Sequence, residues 1–340
     1  MSRAEPPLAL TLGDPAGIGP DIALLAWTAR TAETLPPFVL IGDEAVLANR
    51  AEALGLSVPI VTVDEAHQAT ALFADALPVL PVPAGVKVTA GRPDKAAMAA
   101  VKRSIELCVS LVQQGAARAI VTNPVSKATL YDAGFAFPGH TEYLAALAGT
   151  GNRASHPVMM LASGAFRVVP VTIHIPLKDV AGSLTEDLIL TTIEITEKDL
   201  GRFFGVEQPR LAVSGLNPHA GEDGNLGREE TDIIAPAIAA ARNTGIDVSG
   251  PYPADTLFHA RARETYDAAI CMYHDQALVP FKTLAFEEGV NVTLGLPFVR
   301  TSPDHGTAFA LAGSGKANPR SLIEALRLAD AMSRTAEAKA

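Results

Sequence analysis

The stretch LALTLGDPAGIGPD, residues 8–21, joins a short apolar run to a Gly/Pro turn and then to the start of a helical pattern. The same order of strand, turn and helix returns along most of the chain. Further strand-like runs lie at residues 38–41, 60–63, 119–122, 158–161, 168–173, 211–214, 268–272 and 290–294. Helical patterns between them cover residues 95–114, 183–204, 229–242 and 319–332. This alternation predicts an α/β protein with largely parallel sheets.

Composition limits the classes of protein to which the chain can belong. Its 340 residues are 48% hydrophobic and 19% charged, which is the balance of a compact α/β protein with about two domains. The net charge of −10 argues against a nucleic-acid partner, because binding to phosphate backbones needs a basic surface. Residues 1–7 hold no apolar run, and no uncharged stretch is long enough to span a bilayer. We therefore expect a cytoplasmic protein with no membrane partner.

Several local signals give narrower expectations. Ser183 with Glu186 three residues later has the pattern of a capping box, which predicts a helix start at Ser183. The Pro-rich residues 78–83 predict a loop or crossover. Cys108 and Cys271 stand in apolar patterns, and we expect both to be buried as small hydrophobic residues.

Three histidines occupy the same kind of position. His174 ends the run VVPVTIH, His219 follows the run and turn LAVSGLNPH, and His274 follows AICMY. Sites in open α/β sheets form at the carboxyl ends of strands, so three such side chains can converge. Three neutral imidazoles with an open fourth position are a common arrangement for catalytic zinc. The alternative, which stays open, is that each is a buried histidine with ordinary hydrogen-bond partners.

Two acidic residues stand near these histidines in the sequence. Asp275 directly follows His274 in YHDQ, and Asp255 lies in GPYPADTLF. A carboxylate beside a metal-bound imidazole can orient the ring or act as a general base. For Asp255 a helix N-cap ahead of Thr256 is an equally open interpretation.

A second group of polar residues suits an anionic ligand. Lys and Arg inside apolar stretches need an anionic partner, which is either a structural ion pair or a bound phosphate or carboxylate. Arg offers a planar fork and Lys a point charge, so the two suit different anionic groups. The candidates are His140, Thr141, Lys282, Asn291 and Arg300.

Two Gly-rich segments remain. GDPAGIGPD, residues 13–21, joins a strand to a helix but is not G-x-G-x-x-G, so it does not indicate a Rossmann domain. HGTAFALAGSGKANP, residues 305–319, combines permissive glycines with polar residues before a helix. Such a segment suits a nucleotide-holding loop, and equally a turn with a helix cap.

Taken together, several motifs closely resemble one family. They are VTNPVSK, FPGHTE, LNPHAGEDGNLG, GPYPADTLF, MYHDQALVPFK and GVNVTLGLPFVRTSPDHGTAFALAGSGKANP. This set is similar to the 4-hydroxythreonine-4-phosphate dehydrogenases of vitamin B6 synthesis over essentially the whole chain. The two Gly-rich segments also resemble the isocitrate and isopropylmalate dehydrogenases, which bind their cofactor outside a Rossmann domain.

The resemblance implies a fold and a set of functional residues. The fold would be two α/β/α domains with a cleft between them, one of residues 1–135 with 285–340 and one of residues 136–284. His174, His219 and His274 would bind zinc, magnesium or cobalt, and Asp255 and Asp275 would assist the chemistry. The substrate would contact the five anion-site candidates, and NAD or NADP would contact His305, Gly306, Thr307 and Asn318. The enzyme would be a homodimer with a shared active site, and His274 is the candidate for the ligand that reaches the partner's site. VTNPVSK differs from versions with a Gly after the Thr, so no role is carried to Lys127.

The activity implied is oxidation of 4-hydroxythreonine 4-phosphate at C3. The product, a 2-amino-3-oxo acid, has its carboxylate β to the new ketone and loses CO2. A paralogous dehydrogenase of threonate or erythronate 4-phosphate would keep the same residues and stays open as an alternative. A metal-dependent hydrolase is an alternative from another class, since three-histidine sites often activate water, and a non-catalytic phosphate-binding protein is a third. A hydrolase would have no need for residues 305–319.

Overall fold

The structure is a computed structural model, and it describes residues 5–134, 137, 139–149 and 156–339. Contacts between Cα atoms divide the chain into two units. The first holds Met1–Pro157 with Leu296–Arg334, and the second holds Val158–Gly295 with Thr335–Ala340. The observed division therefore falls after Pro157 and Gly295, whereas the sequence suggested residues 135 and 284.

The strands, in chain order, are β1 (Leu8–Thr11), β2 (Phe38–Gly42), β3 (Ile60–Thr62), β4 (Leu77–Pro81), β5 (Ile120–Val121), β6 (Val158–Ser163), β7 (Phe166–Thr172), β8 (Leu211–Ser214), β9 (Val248–Tyr252), β10 (Ala268–Tyr273), β11 (Val290–Leu294) and β12 (Arg300–Pro303). The α-helices are α1 (Gly19–Thr28), α2 (Glu44–Leu54), α3 (Gln68–Leu72), α4 (Met98–Gln113), α5 (Lys127–Asp132), α6 (His140–Ala148), α7 (Val180–Ser183), α8 (Glu186–Phe204), α9 (Ala235–Asn243), α10 (Ala254–Leu257), α11 (Ala260–Arg263), α12 (His274–Leu284) and α13 (Arg320–Ala338). Short 3₁₀ or π-helical segments are Lys95–Ala97, Leu177–Asp179, Glu230–Ile234 and Phe309–Leu311, and Pro218–Gly224 is a turn in which residues 219–223 have positive φ.

The first unit is built on a parallel sheet with the strand order β3-β4-β2-β1-β5-β12. Every residue of β1 and β2 is buried, which is expected of parallel strands with both faces covered. Helix α4 packs on this sheet through buried residues three and four positions apart, such as Val101, Ile105, Cys108 and Val109. That spacing lines one face of an α-helix.

The second unit has the strand order β11-β6-β7-β10-β8-β9. Strand β6 is antiparallel to both β11 and β7, while β7, β10, β8 and β9 run parallel. Because parallel neighbours end on the same side of a sheet, the residues that follow β7, β10 and β8 share one edge of the unit. The predicted α/β class with largely parallel sheets is confirmed.

Three local predictions need correction. The cap of α8 is Thr185, whose side chain accepts a hydrogen bond from the Leu188 N–H at 3.1 Å, whereas the Ser183 hydroxyl donates to the Asp179 carbonyl at 2.8 Å. Thr185 has the extended backbone that an N-cap needs, and Ser183 is already the last residue of α7. Residues 78–81 form most of β4 instead of a loop. The predicted helix 229–242 begins with a π-helical turn and becomes α-helical only at Ala235.

The expected burial of the two cysteines is confirmed. Cys108 and Cys271 are both buried, and burial raises the pKa of each thiol well above its ordinary value. Of the helices within the described residues, none is both long and apolar enough to cross a membrane.

Candidate active site

The three histidines follow the carboxyl ends of three neighbouring parallel strands in the second unit. His174 comes after β7, His274 begins the helix directly after β10, and His219 lies beyond β8. Strand β10 pairs with β7 on one side and with β8 on the other. The strand-end placement expected from the sequence is therefore confirmed.

His174 and His274 are close neighbours. Their ring centroids are 5.7 Å apart, with 41° between the ring planes. Both line a surface cavity of about 190 Å³ together with Thr172, Tyr273 and Asp275. Because a zinc-bound imidazole nitrogen lies about 2.0–2.1 Å from its metal, two rings on one ion must lie close together. The pair meets this requirement.

Asp275 contacts one of the two rings of this histidine pair. Its Oδ1 lies 2.7 Å from Nδ1 of His274, with 35% of the His274 side chain exposed and 76% of the Asp275 side chain. A carboxylate on Nδ1 fixes the ring so that Nε2 is left for another partner. His174 has a left-handed backbone, with φ of +55°, which is uncommon for a residue other than glycine and is often found at functional sites.

His219 lies in a different cavity of the same unit. That cavity is lined by His219, Glu222, Asp223 and Pro253, among others, and shares no lining residue with the cavity of His174 and His274. Residues 219–223 all have positive φ, between +44° and +79°. In the described part of the chain, no three His, Cys, Asp or Glu side chains lie close enough together to hold a metal ion. Among the described residues, the structure thus brings His174 and His274 together and places His219 in a separate cavity.

A buried frame holds the loop that carries His219. Glu230, 3% exposed, accepts hydrogen bonds at Oε1 from the backbone N–H groups of Leu216 and Asn217, each at 2.7 Å. On the other side of the segment, Nε2 of Gln276 donates to the Gly215 carbonyl at 2.8 Å. Neither Glu230 nor Gln276 was predicted from the sequence to have a role. The available signal was their position inside the two histidine motifs, in GREE and in YHDQ.

The second predicted acid, Asp255, lies on the His219 side of the unit. It is an exposed residue in the first turn of α10, and α10 contacts the Pro218–Gly224 segment. The helix begins after Pro253, so Asp255 is not its N-cap residue. Asp275 thus lines the cavity of the histidine pair, while Asp255 lies on the helix that contacts the His219 segment.

The anion-site candidates are divided between the two units. In the second unit, Lys282 lies on α12 with Nζ 5.4 Å from the Phe286 ring centroid, and Asn291 lies on β11 opposite Leu161. In the first unit, Arg300 is buried at the start of β12, and its Nη2 donates to Oγ1 of Thr122 at 2.7 Å. His140 and Thr141 begin α6, but their side chains lie outside the described residues.

In the first unit, the two Gly-rich segments pack against each other. The Ile18 N–H donates to the Thr307 carbonyl at 3.0 Å, and a Cβ on Gly17 would lie only 2.9 Å from that carbonyl oxygen. Gly17 is therefore needed for the close approach of the two backbones.

A buried ion pair supports this contact. Arg50 pairs with Asp21 and donates to the Gly17 carbonyl at 2.9 Å, while Asp21 Oδ1 accepts from the Gly313 N–H at 2.7 Å. The sequence analysis did not single out Arg50. No local pattern marked it, because its partners are distant in sequence.

The predicted cofactor residues surround this contact. His305 and Gly306 are exposed, and Thr307 is half-buried. Asn318 Oδ1 accepts from the Arg320 N–H at 3.0 Å at the start of α13. Contact of these residues with a nucleotide stays a prediction.

The chain is similar to known proteins over nearly its whole length. The family model described as "Pyridoxal phosphate biosynthetic protein PdxA" matches residues 33–329. The 4-hydroxythreonine-4-phosphate dehydrogenase of Methylorubrum extorquens is 59% identical over 332 residues, covering 97% of this chain and 95% of that protein. The enzyme of the same name from Bradyrhizobium diazoefficiens is 56% identical, covering 97% of this chain and 98% of that protein. A crystal structure of 4-hydroxythreonine-4-phosphate dehydrogenase from Klebsiella pneumoniae aligns with a TM-score of 0.85 at 37% identity, over 96% of this chain and 99% of that one. This chain belongs to the PdxA family of pyridoxal phosphate biosynthetic proteins.

Proposed function

We propose that this chain oxidises 4-hydroxythreonine 4-phosphate at C3, with NAD or NADP as acceptor. The observation that carries the proposal is similarity over nearly the whole chain to enzymes of that name, at 59% identity for the Methylorubrum extorquens protein. The product is 2-amino-3-oxo-4-(phosphooxy)butanoate. Its carboxylate is β to the new ketone, so it loses CO2 to give 3-amino-2-oxopropyl phosphate, a precursor for pyridoxal phosphate.

His174 and His274 are the residues best suited to hold a divalent metal such as zinc, magnesium or cobalt. Their 5.7 Å separation and the carboxylate on Nδ1 of His274 fit two imidazole ligands to one ion, and His219 is the expected third ligand. When bound, such an ion lowers the pKa of a substrate hydroxyl, while the nicotinamide accepts the hydride. Metal analysis of the purified protein tests this assignment directly.

The two acids have different tasks in this proposal. Asp275 holds Nδ1 of His274 and so keeps the ring in one orientation. Asp255 lies on a helix that contacts the His219 loop, and no hydrogen bond joins it to a histidine among the described residues. We therefore assign Asp255 as the first candidate for the base that takes the hydroxyl proton, with Asp275 as the second.

Lys282, Asn291 and Arg300 are the proposed donors to the anionic groups of the substrate, with His140 and Thr141 at the start of α6. Arg300 combines burial with a guanidinium group, and a planar fork suits a carboxylate or phosphate. Lys282 is half-buried, and its Nζ lies 5.4 Å from the centroid of the Phe286 ring.

The unassembled triad favours a homodimer with a shared site. Near the histidine pair and along α12, large apolar side chains are exposed, with Leu177 at 70%, Val279 at 63% and Phe286 at 74%. Exposed apolar patches mark surfaces that another protein covers. A second copy that covers this surface would bring a further histidine to the pair. Because His174 and His274 already lie together, we favour His219 as the ligand from the second copy, in place of the His274 named from the sequence.

A substrate panel separates this activity from its alternatives. Reduced-nicotinamide absorbance would be followed with 4-hydroxythreonine 4-phosphate, threonate 4-phosphate and erythronate 4-phosphate, each with NAD and NADP. Fastest turnover with the amino-acid phosphate supports the proposal, and faster turnover of either sugar-acid phosphate would replace it with the paralogous activity. Hydrolysis of any ester without nicotinamide reduction would indicate a hydrolase.

A further inference from the structure

The segment Gly215–Asn217 leads from β8 into the His219 loop and is held from both sides. The Gly215 N–H donates to the Tyr252 carbonyl and its carbonyl accepts from Gln276 Nε2, each at 2.8 Å. The next two N–H groups both donate to Glu230 Oε1 at 2.7 Å. Three successive residues thus have fixed backbone hydrogen bonds immediately before the turn that carries His219.

The His219 loop closes directly around the Glu230 carboxylate. Besides the two backbone donors, Oε2 accepts from Asn217 Nδ2 at 3.0 Å. A Cβ on Gly221 would lie 2.5 Å from Oε2, and one on Gly215 would lie 3.0 Å from Oε1. The run of left-handed residues 219–223 therefore lies against this buried carboxylate. Backbone of that kind is costly for residues other than glycine and persists only when surrounding contacts impose it.

Glu230 itself stands in a π-helical turn, Glu230–Ile234, which directly precedes α9. Such turns insert an extra residue into a helix and are frequent at functional sites. A buried carboxylate is expensive unless several donors satisfy it. Here the donors all belong to the loop, so the carboxylate and the loop conformation depend on each other.

Gln276 connects the segment before His219 to the strand before His274. Its Oε1 accepts a hydrogen bond from the Met272 N–H at 2.7 Å, near the end of β10 and before His274. Its Nε2 donates to the carbonyl of Gly215, which follows β8. One buried amide therefore ties the strand that positions His274 to the segment that positions His219.

We propose that Glu230 and Gln276 are positioning residues that hold the His219 loop in its metal-binding conformation. The inference rests on the proposed role of His219 as a metal ligand. Glu230 lines the same cavity as His219, but among the described hydrogen bonds neither Glu230 nor Gln276 contacts His219 itself. Each acts through backbone groups of residues 215–217. Residues of this outer kind are worth about 10–100-fold in metal affinity, and we expect losses of that size.

The test uses the full-length protein and two readouts. The first is Zn²⁺ affinity, measured by competition with a chromogenic chelator. The second is hydrogen exchange of the Leu216 and Asn217 amides in metal-free protein, which needs no bound metal. Glu230→Gln keeps the size of the side chain but replaces one acceptor oxygen of the carboxylate by an amide N–H. That N–H then faces an N–H donor instead of accepting a hydrogen bond from it. We expect Zn²⁺ affinity to fall about 10–100-fold and both amides to exchange faster.

Glu229→Gln is the matched control. Glu229 Oε2 accepts from the Asn217 side chain at 2.7 Å, and no backbone N–H of residue 216 or 217 donates to it among the described contacts. It should leave the exchange of the two amides unchanged. Gln276→Met provides a second variant in case Glu230→Gln does not fold, and we expect it to weaken Zn²⁺ binding in the same direction.

The outcomes separate the inference from the function on which it rests. If wild type and His219→Ala bind Zn²⁺ equally, the metal assignment fails, and amide exchange still reports whether Glu230 holds the loop. If His219→Ala loses Zn²⁺ but Glu230→Gln and Gln276→Met bind it as wild type does, the positioning roles are wrong while the metal site stands.

Discussion

After β1 and β5 of the first unit, the polar side chains Asp14, Asn123 and Thr122 are fully buried, and an equally buried Arg50–Asp21 pair braces the nearby loops. After β7 and β10 of the second unit, His274 and Asp275 are open to solvent. Both regions are carboxyl ends of parallel strands, where α/β proteins bind ligands. In the first region the polar side chains are buried and hold the backbone of the loops in place. In the second region the polar side chains are exposed to solvent. If these side chains are the proposed metal ligands, another chain can reach them at this exposed edge.

The largest effect should come from the histidines. His174→Ala, His219→Ala and His274→Ala should each abolish activity while remaining folded, because each removes a proposed ligand. Mixed under subunit exchange, His219→Ala with either other variant should recover activity, since one site of each heterodimer keeps all ligands. Random pairing makes about half the dimers heterodimers, so about a quarter of the sites should be intact.

The third cross identifies the histidine that comes from the partner. His174→Ala mixed with His274→Ala should stay inactive if His219 is that residue. Recovery in this cross, with no recovery for His174→Ala with His219→Ala, would show that His274 is supplied by the partner instead. Inactivity of all three crosses, with subunit exchange verified by capture through a tag, would place the whole site in one chain.

The buried ion pair of the first unit should show the next largest effect, and on stability instead of metal binding. Arg50→Met leaves the Asp21 carboxylate buried without its cation, and breaking such a pair costs about 3–5 kcal/mol. We expect urea denaturation to show a loss of this size in the free energy of unfolding. NAD binding should also weaken, because the segments 13–21 and 305–316 lose the ion pair that supports their contact. Arg50→Met with Asp21→Asn should recover part of the stability. Unchanged stability in Arg50→Met would show that the first region is not held by this pair.

Arg300 sharpens the comparison because it is buried like the structural residues of its unit and yet is proposed to bind substrate. Arg300→Leu should raise the KM for the phosphorylated substrate at least about 30-fold, equivalent to about 2 kcal/mol, and change the KM for NAD little. Arg118→Leu is the control, since Arg118 is also buried and pairs with Asp330, and its KM values should not change. A substrate KM for Arg300→Leu equal to that of wild type would reduce Arg300 to a structural partner of Thr122.

The sequence predicted what depends on local pattern. The strand runs before His174, His219 and His274 were visible because apolar stretches and polar ends alternate, and parallel pairing then brought them to one edge. Pro78 and Pro81 wrongly suggested a loop, because the effect of a proline on a strand depends on how the adjacent strands pair with it. Pairing of β4 with β2 starts only at Val79, and pairing with β3 ends at Val79, so neither proline removes a needed donor.

What the sequence did not predict depends on contacts between distant residues. His219 begins a run of five left-handed residues, only one of which is a glycine. This run follows residues 216 and 217, which are hydrogen-bonded to Glu230 in the next helical segment. Arg50 was not predicted for the same reason, because the carbonyl groups to which it donates lie 33 and 35 positions earlier in the chain.

The smallest effect concerns Asp14, which tests how completely the first region is sealed. Burial raises the pKa of this carboxyl above its ordinary value of 3.8, although hydrogen bonds from the backbone N–H groups of Ala16 and Ser126 oppose the shift. A raised pKa means that the protonated form favours folding, so the contribution of Asp14 to stability is complete at acidic pH and falls as the pH rises through the folded-state pKa. Asp14→Asn keeps an acceptor for Ala16 and cannot ionise. We expect its melting temperature to exceed that of wild type by a few degrees at pH 8 and to match it near pH 4. Asp64→Asn, at an exposed position, should show no such dependence on pH. A constant difference between Asp14→Asn and wild type from pH 4 to 8 would mean that the carboxyl is ionised at low cost, and that the first region is less sealed than the comparison holds.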